Sequence, residues 1–371
     1  MAVRTGTHPR YSYDLFFYLG CALDDGRLSR DSVLARSVLE IREHFPPRSQ
    51  DYFFRIPGYR VEMAASSPTF FRQLPFYKGR VIYFGLLRAG MRLGLPPTGI
   101  FLWLGLLPAL VISLLVFFWL ARHFHPFLAA GLSMLLIQAS MLWPIAMDFS
   151  PDCLAHAWVL AGCFAWMEKR SPPWAWGFFF LALFTRPDTL LFTAPLGAWM
   201  AWEHLREKRP RRWMPFLPLI AQVSAYLVLQ RLTGHYGWWT LFHHTFIDFM
   251  LDPGGTRPAF NPWQYRAIFL RGLTQSPLEA APWFWGLGLA GLLATRIRAI
   301  AAPRYRIFFL IVFGGYLLHF LLFPIWWSRL LLGYHLTLGL TAAVLWARRR
   351  KIPQVPRFQG GGVDEDRETA D

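Results

Sequence analysis

Of 371 residues, 54% are hydrophobic and 18% aromatic, including 18 Trp and 34 Phe, and the apolar residues come in blocks about as long as a bilayer is thick. The formal charge of +16 sits mostly in short Lys/Arg clusters between those blocks, so membrane topology explains it better than nucleic acid does, and no nucleic-acid partner is expected. Three cysteines, Cys21, Cys153 and Cys163, are too few and too scattered for a disulfide framework or a metal cluster. These features predict an all-α, polytopic membrane protein. No apolar core follows Met1, so no cleavable signal peptide is expected.

In chain order, residues 1–97 are the least membrane-like part and read as an external segment with interfacial helices. Residues 11–23 form an aromatic helix candidate, too short to span, which carries one acid, Asp14, and is expected to lie in the interface. The stretch from Asp24 to Pro75 is polar, rich in arginine and broken at Pro46-Pro47, Pro57-Gly58 and Pro68, which predicts short helices on the membrane surface. Residues 81–95 carry Arg88 and Arg92 and read as another interfacial helix or a partial span.

The membrane part, residues 98–346, holds apolar segments at 98–121, 126–146, 152–167, 173–184, 188–204, 213–230, 281–296, 306–323 and 328–346. Thr185-Arg186-Pro187-Asp188 makes a charged hairpin tip between the fourth and fifth, residues 231–280 form a long loop, and residues 347–371 form a tail. Positive charge at Glu168-Lys169-Arg170, from Arg206 to Arg212, at Arg296, Arg298, Arg304 and Arg306, and from Arg348 to Lys351 falls at alternate connections, which are expected to be cytoplasmic. Asp14, Lys78, Arg80, Asp148, Asp152, Arg186, Asp188 and Arg329 then share the opposite face. A cytoplasmic C-terminus with this many spans leaves residues 1–97 outside with nothing ahead to carry them across, so the expectation is that a first span is missing.

The seam Asp148-Phe149-Ser150-Pro151-Asp152 separates two apolar runs. Pro151 suits the first turn of a helix and Ser150 its N-cap, so the bland role of the two acids is to cap that helix. Their functional role rests on the other charges that share the face, because ionisable groups at span ends are what a catalytic cavity at a membrane surface needs.

Taken together, the acid-bearing aromatic segment, Tyr77-Lys78-Gly79-Arg80 before a helix, the acid-Pro-Asp seam, the Thr-Arg-Pro-Asp tip and Arg329 at the outer start of the last span resemble the GT-C superfamily. These are integral-membrane glycosyltransferases that use polyprenyl-phosphate sugars, with protein O-mannosyltransferases and lipid A aminoarabinose transferases as relatives. The resemblance is one of layout and covers about residues 11–346. It implies that Asp14 acts as general base or positions the acceptor, and that Asp152, with Asp148 beside it, is the second acid. It also implies that Lys78, Arg80, Arg329 and Arg186 contact the lipid phosphate. The chain departs from the pattern in lacking the first span and an Asp-Glu couplet beside Asp14, which disfavours protein mannosylation.

The implied chemistry suits these residue types. Negative charge grows on the leaving phosphate, where Arg and Lys stabilise it, while a carboxylate takes the acceptor's proton. No glycine-rich phosphate loop is present, consistent with a lipid-linked donor, and no cofactor is specified. His244 and Asp248, four apart, could share a helix face with His243 beside them, but a third metal ligand is not apparent. Glu203-His204 reads as a topological determinant, and the Gly-rich, acidic end as a flexible tail. A transporter or a non-catalytic membrane subunit stays open as an alternative. Against a transporter, the spans read as almost free of buried charge except His156 and His319, expected to pack between helices, and no internal repeat is evident. The reading is a periplasm-facing inner-membrane glycosyltransferase whose partners are a polyprenyl-phosphate-linked sugar, an unnamed acceptor and the membrane.

Overall fold

The computed structural model describes residues 12–55, 58–206, 214–255, 257–274, 281–295 and 303–349. The basic run 207–212, Arg296, Arg298 and the tail from residue 350 lie outside the described residues. Among the described residues every regular element is a helix.

The N-terminal layer consists of α1 (Asp14–Leu23), α2 (Arg30–His44), α3 (Pro47–Phe54), α4 (Tyr59–Ala65), α5 (Ser67–Gln73) and α6 (Val81–Arg92). Serines start two of these helices: Ser29 Oγ accepts the Ser32 N–H at 3.2 Å and Ser66 Oγ the Thr69 N–H at 3.4 Å. Contrary to the interfacial expectation, α1 is not a surface helix. Every residue from Leu15 to Leu23 is buried, because α2 and α6 pack against it and apolar side chains cover it all round. Phe16 meets Phe70 at 4.7 Å and Phe17 stacks on Tyr77 at 4.9 Å, so this layer has its own aromatic core.

Below it lie α7 (Pro97–Ala121), α8 (Pro126–Ala139), α9 (Leu142–Ala146), α10 (Asp152–Met167), α11 (Pro172–Thr185) and α12 (Leu190–Arg206). They are followed by α13 (Leu217–Leu232), α14 (Trp238–Phe246), α15 (Pro262–Thr274), α16 (Ala281–Thr295), α17 (Pro303–Leu322) and α18 (Ser328–Arg349). Proline opens α7, α8 and α11, where its missing N–H costs nothing. Each predicted apolar segment holds a helix, and among the described residues three helices, Pro97–Ala121, Pro303–Leu322 and Ser328–Arg348, are long and apolar enough to cross a membrane. The second segment is not one rod. It breaks after Ala139, where Met141 takes a left-handed φ of 61°, and resumes as α9.

At the centre, α10 packs on α11, α7 and α18. Its sequence explains that position, since Ala155, Ala157, Gly162, Cys163 and Ala165 keep the surface low enough for close approach of neighbouring helices. The outside of α7 is the opposite case. Trp103, Leu107, Leu110, Leu114 and Phe118, spaced by three or four residues, leave one apolar face uncovered. The N-terminal core reaches the seam, where Phe149 stacks on Phe101 at 5.7 Å and touches Phe45 edge-on at 6.5 Å. Phe149 holds a φ of 45°, a strained conformation for an aromatic residue, between the two seam acids.

Candidate functional site

Arg329, in the first turn of α18, gathers three parts of the chain. Its guanidinium donates to Asp14 Oδ2 at 3.3 Å and to Asp148 Oδ2 at 3.4 Å, and Nε lies 4.0 Å from Asp152 Oδ2. The cation also lies over the Trp327 ring, 5.0 Å from its centroid. Asp152 is buried and forms a second ion pair with Arg186, which in turn donates from Nε to Asp188 Oδ1 at 2.7 Å. The result is an alternating chain of acids and arginines from α1, the seam, the hairpin tip and α18. Ser150 takes part differently from the expectation. Its hydroxyl donates to Asp152 Oδ2 at 2.9 Å instead of capping a backbone N–H, and α10 begins at Asp152 without a side-chain cap.

Local structure sets the approach to this chain. A 3-10 turn over Pro187–Thr189 joins α11 to α12 and holds Arg186 nearly buried at the tip. Asp14 opens α1, and Tyr77 Oη donates to its Oδ1 at 3.0 Å. Burial opposes ionisation of Asp14, but Arg329, Arg80 and the Tyr77 hydroxyl outweigh it and hold the carboxyl below the usual range. Asp188 is balanced the same way: burial pushes it up, and Arg186 pulls it down to about 2. Tyr77 is pushed upward by burial and by Asp14, so it stays a hydrogen-bond donor.

The two remaining predicted cations behave differently from each other. Arg80 lies between the Tyr18 and Tyr77 rings, 5.2 and 5.0 Å from their centroids, and donates from Nη1 to the Phe76 carbonyl at 3.3 Å. Its buried Nε has no hydrogen-bond partner among the described residues. Lys78 is not in the cluster. It pairs with Asp24 at 2.8 Å, at the far end of α1 from Asp14.

No family model, curated protein or solved structure matches the chain.

His244 and Asp248 do not share the helix face that their spacing allows. His244 lies in α14, but the helix ends at Phe246, so Asp248 does not share its face. His244 Nδ1 accepts the Met250 N–H at 3.1 Å, and burial pushes its pKa down to about 4. Among the described residues no group of three His, Cys, Asp or Glu could hold a metal ion. His156 Nε2 donates to the Arg329 carbonyl at 3.0 Å, tying α10 to α18 directly below the cluster, while its Nδ1 has no partner among the described residues. Buried His319 Nε2 likewise has none, so helix packing leaves a ring nitrogen of each of these histidines unsatisfied.

The opposite ends of the same helices carry a separate charged group. Glu168, after α10, accepts from Arg122 Nε and pairs with His123 Nε2, both at 2.9 Å, and bonds the Tyr305 hydroxyl. Arg304 reaches Glu203 at 3.4 Å, and Arg348 lies over the Tyr305 ring. The described charges inside the bundle thus gather at its two ends, with an apolar middle between them.

Sequence reasoning missed two functional candidates. Tyr77 stands in the quoted Tyr-Lys-Gly-Arg word, but only its basic members were singled out. Ser150 was read as a cap because a Ser-Pro pair before a helix has that usual meaning. A hydroxyl two residues before an acid is the signal that could have found it.

Proposed function

We infer that the protein is a membrane glycosyltransferase of GT-C type, which moves a sugar from a polyprenyl-phosphate carrier to an acceptor. The observation that carries this reading is Arg329, which holds Asp14, Asp148 and Asp152 together at the start of a helix able to cross a membrane. A lipid phosphate at the bilayer face needs cations there, and an acceptor hydroxyl needs a carboxylate beside them.

In the reaction the bond between the anomeric carbon and the phosphate oxygen breaks, and one forms between that carbon and the acceptor oxygen. The acceptor's proton goes to Asp14, and the lipid phosphate leaves with the negative charge. Arg329 and Arg186 stabilise that charge, and Arg80 brings the unused Nε donor. Asp14 paired with Arg329 is a weak base. When a phosphate takes over the guanidinium, Asp14 loses its strongest cationic neighbour and its proton affinity rises. Donor binding therefore activates the base. The Lys169, Arg170 and Arg348 end suits the cytoplasmic side, which puts Arg329 on the periplasmic side of the inner membrane.

The test is transfer of radiolabelled sugar from a panel of polyprenyl-phosphate sugars by membranes holding the protein. Asp14→Asn and Asp152→Asn are each expected to lower transfer by about 10²–10⁴-fold at equal protein level. Well-folded protein that turns over none of the panel and binds none of it would return the reading to a transporter or a non-catalytic subunit.

A further inference from the structure

A cavity of about 700 Å³ lies at the C-terminal end of α1, between α2, α6 and the start of α7. Eight residues of helix, or about 12 Å along its axis, separate Asp14 from Ala22 in the cavity wall. Four arginines line it, Arg27, Arg36, Arg88 and Arg92, against two acids, Asp25 and Glu40.

These charges are not all neutralised locally. Arg88 is built into the wall, donating to the carbonyls of Cys21, Ala22 and Asp24, each at 2.7 Å, and those contacts leave its positive charge intact. Arg27 and Arg92 both approach Asp25 at 3.9 Å, too far for a hydrogen bond. Glu40 Oε2 lies 3.2 Å from His44 Nδ1 but has no hydrogen-bond partner among the described residues, so its charge offsets one arginine. Arg36 makes no ion pair or side-chain hydrogen bond among the described residues. The cavity therefore keeps a cationic excess.

Exposed arginines alone would be a solvated surface. What distinguishes this cavity is that α7, whose first residue lines it, carries an uncovered apolar stripe farther along. Leu28, Met91 and Leu95 share its lining with Pro97, the first residue of α7. From there the uncovered stripe of α7 runs from Trp103, 65% exposed, to Phe118, 54% exposed. At about 1.5 Å per residue the stripe is about 22 Å long, more than the roughly 15 Å depth of one leaflet. A basic cavity at the start of a helix that carries an exposed apolar stripe suits a ligand with an anionic head and hydrocarbon tails.

We propose that this cavity binds the phosphate-bearing headgroup of an anionic membrane phospholipid, whose acyl chains lie along the exposed face of α7. The site shares no side chain with the Arg329 cluster, and its occupation requires no sugar transfer. Binding here would hold the N-terminal layer against the membrane surface through α2 and α6.

Titration of the delipidated full-length protein in detergent, followed by native mass spectrometry, tests this. Phosphatidylglycerol is expected to bind about tenfold more tightly than phosphatidylcholine, and Arg36→Gln/Arg92→Gln to weaken phosphatidylglycerol by about tenfold or more. Millimolar inorganic phosphate should not displace the lipid. Both arginines are exposed, so the double variant should melt like the parent. Equal binding of the two lipids, or undiminished binding by the variant, overturns the proposal. Displacement by inorganic phosphate at a concentration similar to that of the lipid overturns it too, and assigns the cavity to a free anion.

Discussion

Arg329 faces three carboxylates, and Arg186 faces two, so each acid in the chain depends on a shared cation. At the tip this has a sign that can be measured. Asp188 is held at about 2, below its ordinary 3.8, because Arg186 outweighs burial. Folding therefore favours the ionised form: the stabilisation is complete above pH 3.8 and is lost as the pH falls from there through about 2. We expect this group to contribute on the order of 1–2 kcal/mol, a figure kept low because its side chain is partly exposed. Thermal unfolding of the detergent-purified protein from pH 5 to pH 2 should show a shallower loss in Asp188→Asn than in the parent. Identical slopes would mean that the pair adds no stability.

At the scale of elements, the seam is positioned by the close approach of α7 to α9. Gly105 makes that approach possible, because a Cβ there would run into the backbone carbonyl oxygen of Ala146, two residues before Asp148. Backbone cannot swing aside as a side-chain tip can. Gly105→Ala should therefore destabilise by about 1–3 kcal/mol and lower sugar transfer with it. Gly131→Ala in α8, where an added Cβ meets nothing within 4 Å, is the control and should leave both unchanged or gain slightly. A Gly105→Ala protein as stable and active as the parent would show that the α7–α9 contact does not set the seam. The helices themselves were legible, because runs of apolar residues bounded by Pro97, Pro126 and Pro172 state where each begins. The break at Met141 was not, since a methionine carries no local signal for a positive φ and only tertiary packing holds it there. Burial of α1 was hidden for a related reason: its length ruled out a span, and nothing local says that α2 and α6 will cover it.

For the whole molecule, charge alternation between apolar blocks predicts Asp14, Lys78, Arg80, Asp148, Asp152, Arg186, Asp188 and Arg329 on one face, and ion pairs join six of these, all but Lys78 and Arg80. The same reasoning could not tell Lys78 from Arg80. Both stand in one short word, but Asp24 lies within reach of the first, and the Tyr18 and Tyr77 rings hold the second. Such partner choice depends on side chains that meet across the fold, not on neighbours in sequence.

On the proposed function, this face handles a polyprenyl phosphate. Photo-crosslinking with a diazirine-bearing polyprenyl phosphate in membranes, followed by peptide mapping, tests it most directly. Labelling is expected in the first turns of α1, α10 and α18, competed by unlabelled polyprenyl phosphate and reduced by Arg329→Ala. Labelling confined to the Arg122–Glu168 end, or labelling that Arg329→Ala leaves unchanged, would contradict it.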